Sequence, residues 1–234
     1  MKTTRITTLT ALVVMLAMTT LANAGDQDFP EVTEEGLQRV HDSKMALVYA
    51  DPDADLSQYD AILMTDPYVA FRKNWLRDQR TQSVNPLRVT TNDVEKIKKN
   101  LSEEFKTVFT EKLEAAGYAL TDSVGESVLL IRPAIINLDI SAPDTPSSGR
   151  SYQYTQSAGE MTLYIELYDS VSGDLIAKAL DRKQDRSRSG YYTWTNSVTN
   201  RKAADRILNG WADILVDALD DARQYVGVDD SPSE

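Results

Sequence analysis

The chain has 234 residues, no cysteine, one histidine and a formal net charge of −11, from 36 Asp and Glu against 25 Lys and Arg. The absence of cysteine excludes disulfides, thiolate metal sites, cysteine nucleophiles and a lipid-modified N-terminal cysteine. The acidic balance argues against nucleic acid and anionic lipid as partners, because both bind proteins through dense positive charge. We expect no cofactor and no metal.

The first 24 residues have the pattern of a secretory signal peptide. Lys2 and Arg5 precede an apolar run over 9–21, and the Ala-Asn-Ala that ends at Ala24 is the small-residue pattern that a signal peptidase cuts. Threonines interrupt this run, and it is shorter than the roughly 20 apolar residues that span a bilayer. We predict cleavage after Ala24. The product would be soluble and periplasmic, with no lipid and no integral membrane segment.

The first elements of the mature chain are short. Residues 25–43 predict a flexible lead-in, and a single domain is expected over 44–228, followed by an acidic tail over 229–234. Short strands are predicted at 45–49 and 59–65. The Asp-rich turn between them lacks the glycine and the distal glutamate of a calcium loop, so a capped turn is favoured. The next segment, up to Val89, is basic and aromatic, and no element is predicted for it.

Two amphipathic helices are predicted. The first has Asn92 as its N-cap, an apolar stripe from Val94 to Leu113, and Gly117 just beyond its last turn. The second covers 199–225, where Gly210 in mid-helix indicates a close packing contact. Both helices are expected to bury one face.

The strands between the helices predict a sheet. A short strand is expected at 118–120 and a long one at 128–140, where Pro133 indicates an edge position or a bulge. A loop follows over 141–158, and an alternating antiparallel hairpin turns at Gly173. This order predicts an α+β fold, in which an antiparallel or mixed sheet carries two long amphipathic helices on one face.

The sequence offers little chemistry for catalysis. His41 lies in the polar lead-in with no nucleophile motif beside it, so we interpret it as a surface residue. Carboxylate pairs are expected by chance among 36 acidic residues. A hydrolase is therefore the least favoured of three functional hypotheses, and we predict a protein that is not an enzyme and has no catalytic residues.

Two basic segments interrupt the acidic chain. Over 66–88 five cations stand against two aspartates, a net of +3, and over 181–194 four stand against two, a net of +2. Both segments also carry aromatic residues, a combination enriched at protein interfaces. The candidate binding residues are Arg72, Lys73, Trp75, Arg77, Arg186, Arg188, Tyr191, Tyr192 and Trp194.

The leading hypothesis is an exported envelope protein that binds a partner in the cell envelope through these residues. The alternative is a glycan or small-ligand binding module that uses Trp75 or Trp194 as a stacking platform. A structural interpretation also stands, in which the aromatics pack on the sheet and the arginines pair with acidic side chains. The partner and the oligomeric state stay open at this point.

Four sequence phrases resemble a known bacterial family. They are LSQYDAILMTDPYVAF at 56–71, LEAAGYAL at 113–120, LLIRPAIINLDISAP at 129–143 and GEMTLYIELYDSVSGDLIAKALDR at 159–182. Together they resemble the lipoprotein family catalogued as domain of unknown function 3313, over about residues 40–226. The phrases are a strand, a helix end and a hairpin, so the resemblance implies a fold rather than a chemistry. Family members are commonly described as lipoproteins, whereas this chain has no cysteine, and the family provides no catalytic residue to carry over.

Overall fold

The computed structural model describes residues 29–81, 89–140, 153–155, 157–186, 193–195 and 197–225. Side chains are described in these ranges except at 153–155, 157–158, 185–186, 193–195, 197–200 and 224–225. The chain divides into two units, Met1–Pro30 and Glu31–Glu234, and every element below lies in the second. The predicted signal peptide and the predicted acidic tail lie outside the described residues.

The described residues form strands, three helices and one short 3₁₀ turn. The strands are β1 (Gln38–Arg39), β2 (Leu47–Ala50), β3 (Ala61–Met64), β4 (Tyr68–Phe71), β5 (Ala119–Leu120), β6 (Val128–Ile140), β7 (Gln153–Thr155), β8 (Ser157–Asp169), β9 (Leu175–Arg186) and β10 (Thr193–Thr195). The helices are α1 (Trp75–Thr81), α2 (Thr91–Ala115) and α3 (Ser197–Tyr225), and the 3₁₀ turn is Leu56–Gln58. Within the predicted lead-in, the strand Gln38–Arg39 pairs with β2. Within the first basic segment, β4 and α1 are regular elements that were not predicted from the sequence.

The predicted α+β fold is confirmed, with a mixed sheet. The strand order is β1-β2-β9-β8-β6-β3-β5, and β4 also pairs with β6. The β8–β9 hairpin and its neighbours are antiparallel, whereas β3 and β4 run parallel to β6. Helices α2 and α3 cover one face, where Phe105, Phe109 and Trp211 are fully buried against β6 and β8 residues. A separate small pair, β7 and β10, is antiparallel.

Pro133 lies in a central strand, so the predicted edge position is wrong. One edge of β6 pairs with β8 along its length, while β3 and β4 share the other edge end to end. The Thr65 amide donates to Ile131 O at 3.0 Å, and the next bond of a parallel ladder would run from residue 133 to Thr65 O. Because proline has no N–H, β3 ends at this point and β4 begins a few residues later.

The bulge of β6 lies at Asn137 rather than at Pro133. The register between β6 and β8 shifts between Ile136 and Asp139, and Asn137 has a φ of 52°. The shift moves the buried positions from odd to even residue numbers, so that Leu138 stays in the core. This places Asp139 on the opposite face of the sheet.

The helix ends are set by specific hydrogen bonds. Thr90, and not Asn92, is the N-cap of α2, because its Oγ1 accepts from the Asp93 amide while the Asp93 carboxylate accepts from the Thr90 amide. The predicted end at Gly117 is confirmed, with φ +89° and the Tyr118 amide donating to Leu113 O. The packing contact predicted at Gly210 is wrong, since a Cβ placed there meets no atom within 4 Å.

Candidate partner-binding surface

The described parts of both basic segments lie at the same end of the sheet. The Arg72 amide donates to Leu138 O, and the Trp75 indole donates to Ile140 O at 3.2 Å, which places the first segment beside the last residues of β6. Ile140 pairs with Gly159 at the start of β8, and the start of β8 pairs with the end of β9. Neighbouring strands are about 4.8 Å apart, so two steps across the sheet join the segments in about 10 Å.

We call this end of the sheet the basic end. Its cations come from the β4–α1 turn, from α1 and from the last part of β9, and they are Arg72, Lys73, Arg77, Arg80, Arg182 and Lys183. The sequence alone did not decide whether the two segments are adjacent. The register of β6, β8 and β9 decides it.

Trp75 is a buried structural residue. Its side chain is 1% exposed, stacks on Phe71 with ring centroids 4.1 Å apart, and packs with Val89 and Val94 at the start of α2. The N–H of its indole ring is already bonded to Ile140 O. For Trp75 the structure therefore shows packing, and no face of this indole is available for stacking on a ligand.

Arg72 is held between two carboxylates. Its Nη1 lies 2.6 Å from Asp78 Oδ2 and its Nε lies 2.5 Å from Asp139 Oδ2. The hydrogen bond with Asp78 is the main reason that the pKa of Arg72 is raised, and the same bond lowers the pKa of Asp78. Asp139 can reach Arg72 because the bulge at Asn137 turns it to the face opposite the helices. This arginine fixes the corner between β4, α1 and β6.

Lys73 and Arg77 point into solvent beside this corner. Arg77 is 68% exposed and lies 3.3 Å from Asp78, which already pairs with Arg72. Lys73 is exposed and precedes Asn74, which has a φ of 65° and tightens the turn into α1. Arg80 is exposed as well, and its Nε donates to Val89 O, so Lys73, Arg77 and Arg80 are the exposed cations among the described residues of the first segment.

In the described part of the second segment, cations also pair with carboxylates of the fold. Arg182 is 64% exposed and pairs with Glu160 at 2.5 Å, and Lys183 pairs with the buried Asp181 at 3.0 Å. The backbone of Arg186 closes β9 against Ser157, and the backbone of Trp194 pairs with Tyr154 in β10 and β7. The remaining candidates, Arg188, Tyr191 and Tyr192, lie outside the described residues.

The face opposite the helices holds a polar network that the site prediction did not include. Tyr164 donates to Glu166 at 2.6 Å, and burial raises the pKa of this tyrosine. The Arg132 guanidinium lies 4.0 Å from Glu166 and 5.5 Å from the centre of the Tyr168 ring. The alternation of β8 does place Tyr164, Glu166 and Tyr168 on one face, but it does not show that Arg132 joins them from β6.

The remaining sequence features concern the single histidine, metal binding and membrane spans. His41 is exposed, with its Nε2 2.8 Å from Glu31 Oε2. Among the described side chains no group of three or more His, Asp or Glu is arranged to hold a metal ion. Over the same parts of the chain, no helix is both long enough and apolar enough to cross a membrane.

The fold and this surface define a two-layer α+β domain whose sheet has a cationic end. The chain belongs to the family described as "Protein of unknown function (DUF3313)", whose model matches residues 27–215. This confirms the resemblance drawn from the four phrases. No curated protein matches the chain.

The solved structures that the chain is similar to share little sequence with it. A DUF330 family protein from Xanthomonas campestris is 12% identical with a TM-score of 0.43, over 76% of this chain and 93% of that chain. A minor lipoprotein from Acinetobacter baumannii is 10% identical with a TM-score of 0.35, over 70% and 95%. A PelC dodecamer from Paraburkholderia phytofirmans is 12% identical with a TM-score of 0.33, over 69% and 94%. The family membership rests on the family model.

Proposed function

We propose that this chain is an exported, non-enzymatic protein of the cell envelope, soluble in the periplasm, that binds a partner protein through the basic end. One observation carries the proposal: strand register brings two basic segments, distant in sequence, to one end of a sheet in an otherwise acidic chain. Several of these cations pair with carboxylates of the fold, whereas Lys73 has no ion pair among the described residues and Arg77 shares Asp78 with Arg72. Complementary charge on a partner would account for the exposed cations at this end.

The exposure of the charged groups supports a surface that presents cations. The side chains of Arg72, Arg77 and Arg182 are 31%, 68% and 64% exposed. The carboxylates that pair with them are less accessible: the side chains of Asp78 and Glu160 are 19% and 25% exposed. A partner that approaches this end therefore meets guanidinium and ammonium groups first. We expect its contact surface to be acidic, because exposed charges guide association and orientation more than they add affinity.

The burial of Trp75 favours a protein partner over a glycan. A sugar-stacking site needs an accessible aromatic face, and the described tryptophan of the first segment has none. Exposed cations such as Lys73, Arg77 and Arg182 suit charged protein surfaces. A soluble glycan as ligand is the outcome that would replace the proposal.

The test is site-specific photocrosslinking in living cells. A photoreactive residue is placed at Lys73 or Arg77, and the matched control carries it at Lys99, which is 74% exposed on α2. We expect a discrete protein adduct from the first two positions and none from the control. With the photoreactive residue at Lys73, the reversal Arg77→Glu should remove the adduct, and with it at Arg77, the reversal Lys73→Glu should do the same, while the circular dichroism stays unchanged.

Three results would overturn the proposal. An adduct of equal yield from Lys99 would show non-specific contact. Identical adducts with and without these charge reversals would show that the cations do not determine capture. Absence of any protein adduct, together with a tryptophan fluorescence change on adding envelope glycans, would replace the protein partner with a glycan.

A further inference from the structure

The end of the sheet opposite the basic end carries the opposite charge. Three stretches of the sequence, 45–71, 113–131 and 151–177, contain no lysine and no arginine. The topology brings their loops together, because β2 ends, β3 and β6 begin, and β8 turns into β9 at this end. Its exposed carboxylates are Asp53, Asp55, Asp60, Asp122, Glu126 and Asp174, and we call this region the acidic end.

The cation that reaches the acidic end from α3 is engaged in the fold. Arg223 donates to Tyr59 O, and its guanidinium lies 4.0 Å from the centre of the Tyr118 ring. The same part of α3 carries Asp220 and Asp221 in its last two turns. Negative charge near a helix C-terminus is unfavourable for the helix dipole, so helix stability does not explain the acidic character of this end.

We propose that the partner of the basic end is the acidic end of a second copy of this chain, so that copies associate head to tail. This inference rests on the proposed function, since it names the partner of the same surface. Copies with a net charge of −11 repel one another in most orientations, and the orientation that opposes unlike ends is the one that charge favours. A contact between two different surfaces of identical chains is heterologous, and it builds rings or open chains.

The charges that would meet are accessible on both surfaces. Lys73 and Arg77 are exposed at the basic end, and Asp122 and Glu126 are exposed in the turn before β6. Neither Lys73 nor the two acidic residues has a hydrogen bond or ion pair within the described residues that a reversal would break, and Arg77 has only its 3.3 Å contact with Asp78. Reversals at these positions therefore test association without disturbing the fold.

The experiment measures self-association of the purified protein by sedimentation equilibrium, at about 10 mM and about 500 mM salt, where screening lengths differ severalfold. Variant A carries Lys73→Glu and Arg77→Glu, and variant B carries Asp122→Lys and Glu126→Lys. A control carries Lys96→Glu and Lys99→Glu on the exposed face of α2 and matches the charge change of A. We expect wild type and control to associate at low salt, each of A and B alone to associate at least about tenfold more weakly, and an equimolar mixture of A and B to regain association.

The outcomes separate this inference from the proposed function. A monomeric wild type at both salt concentrations would overturn head-to-tail association, and the photocrosslinking experiment would still test capture of a different envelope protein. Association that survives in A and B alike would overturn the role of charge at both ends. Failure of the A and B mixture to associate would show that the two ends do not bind each other.

Discussion

Asp181 is a buried carboxylate whose removal should strongly destabilise the fold. It lies on the helix-facing side of β9 and is 3% exposed, beneath the fully buried Trp211 of α3. Trp211 Nε1 donates to Oδ2 at 2.7 Å, and the Ala46 amide donates to Oδ1 at 3.2 Å. Lys183 lies 3.0 Å from the same carboxylate. This one side chain therefore joins α3, β9 and the segment before β2.

The magnitude of Asp181→Ala follows from the groups left behind. The Trp211 N–H would lose its acceptor in the buried core, and an unsatisfied buried donor costs about 1–3 kcal/mol. Ala46 and Lys183 are accessible enough to turn to solvent, so their loss adds little. We expect the free energy of unfolding to fall by about 3 kcal/mol, out of the about 5–15 kcal/mol typical of a domain. For a chain of this size the melting temperature should fall by about 6–12 °C.

Urea unfolding followed by circular dichroism measures this loss. The isosteric Asp181→Asn keeps an acceptor for the indole and should lose only about 1 kcal/mol. A double-mutant cycle with Trp211→Phe should give a coupling energy above about 1 kcal/mol, since the two groups share one hydrogen bond. The reasoning is refuted if Asp181→Ala lies within about 1 kcal/mol of the wild type, or if the two substitutions are additive.

Three further changes test the backbone and the titrating groups. Gly210→Ala should raise the free energy of unfolding by about 0.5–1 kcal/mol in urea unfolding, because the helix position is exposed and the new Cβ would meet no atom within 4 Å. A lower free energy of unfolding would contradict the open space at this position. Gly159→Ala should lower it by about 1–3 kcal/mol, since its Cβ would lie 2.4 Å from Asp139 O, and an unchanged stability would show that β6 and β8 can separate there. Burial, followed by hydrogen bonds to carboxylates, raises the pKa of Tyr59 and of Tyr118 to about 12 each. Because the fold favours the protonated phenols, their contribution to the free energy of unfolding is complete below about pH 10 and is lost between about pH 10 and 12. Absorbance titration at alkaline pH, compared with Tyr59→Phe, would check this. Titration of both tyrosines near pH 10 in the folded protein would refute it.

Only part of the candidate site could be predicted from the sequence. Composition identified the cations, because charge is a property of each residue. The role of Trp75 needed the structure, since the same indole fits a binding platform or a core, and only its contacts with Phe71, Val89 and Val94 decide between them. The engagement of Arg72 by Asp139 also depends on the bulge at Asn137, which no local pattern announced.

The sequence by itself determined the elements whose period is local. The apolar stripe of α2, the end of that helix at Gly117 and the alternation of the β8–β9 hairpin follow from side chains a few residues apart, and the structure contains each of them. Two of the four family phrases, at 113–120 and 159–182, lie in these elements, and the family match bears out the resemblance.

Only the tertiary structure decided which distant residues share a surface. Pro133 stands in a central strand because two short strands divide one edge of β6, an arrangement that depends on strands far apart in sequence. The same strand order gathers the loops of the cation-free stretches at one end and the described parts of the basic segments at the other. Strand order and register are set by packing over the whole sheet, so the charges were readable from the sequence while their separation into two ends was not.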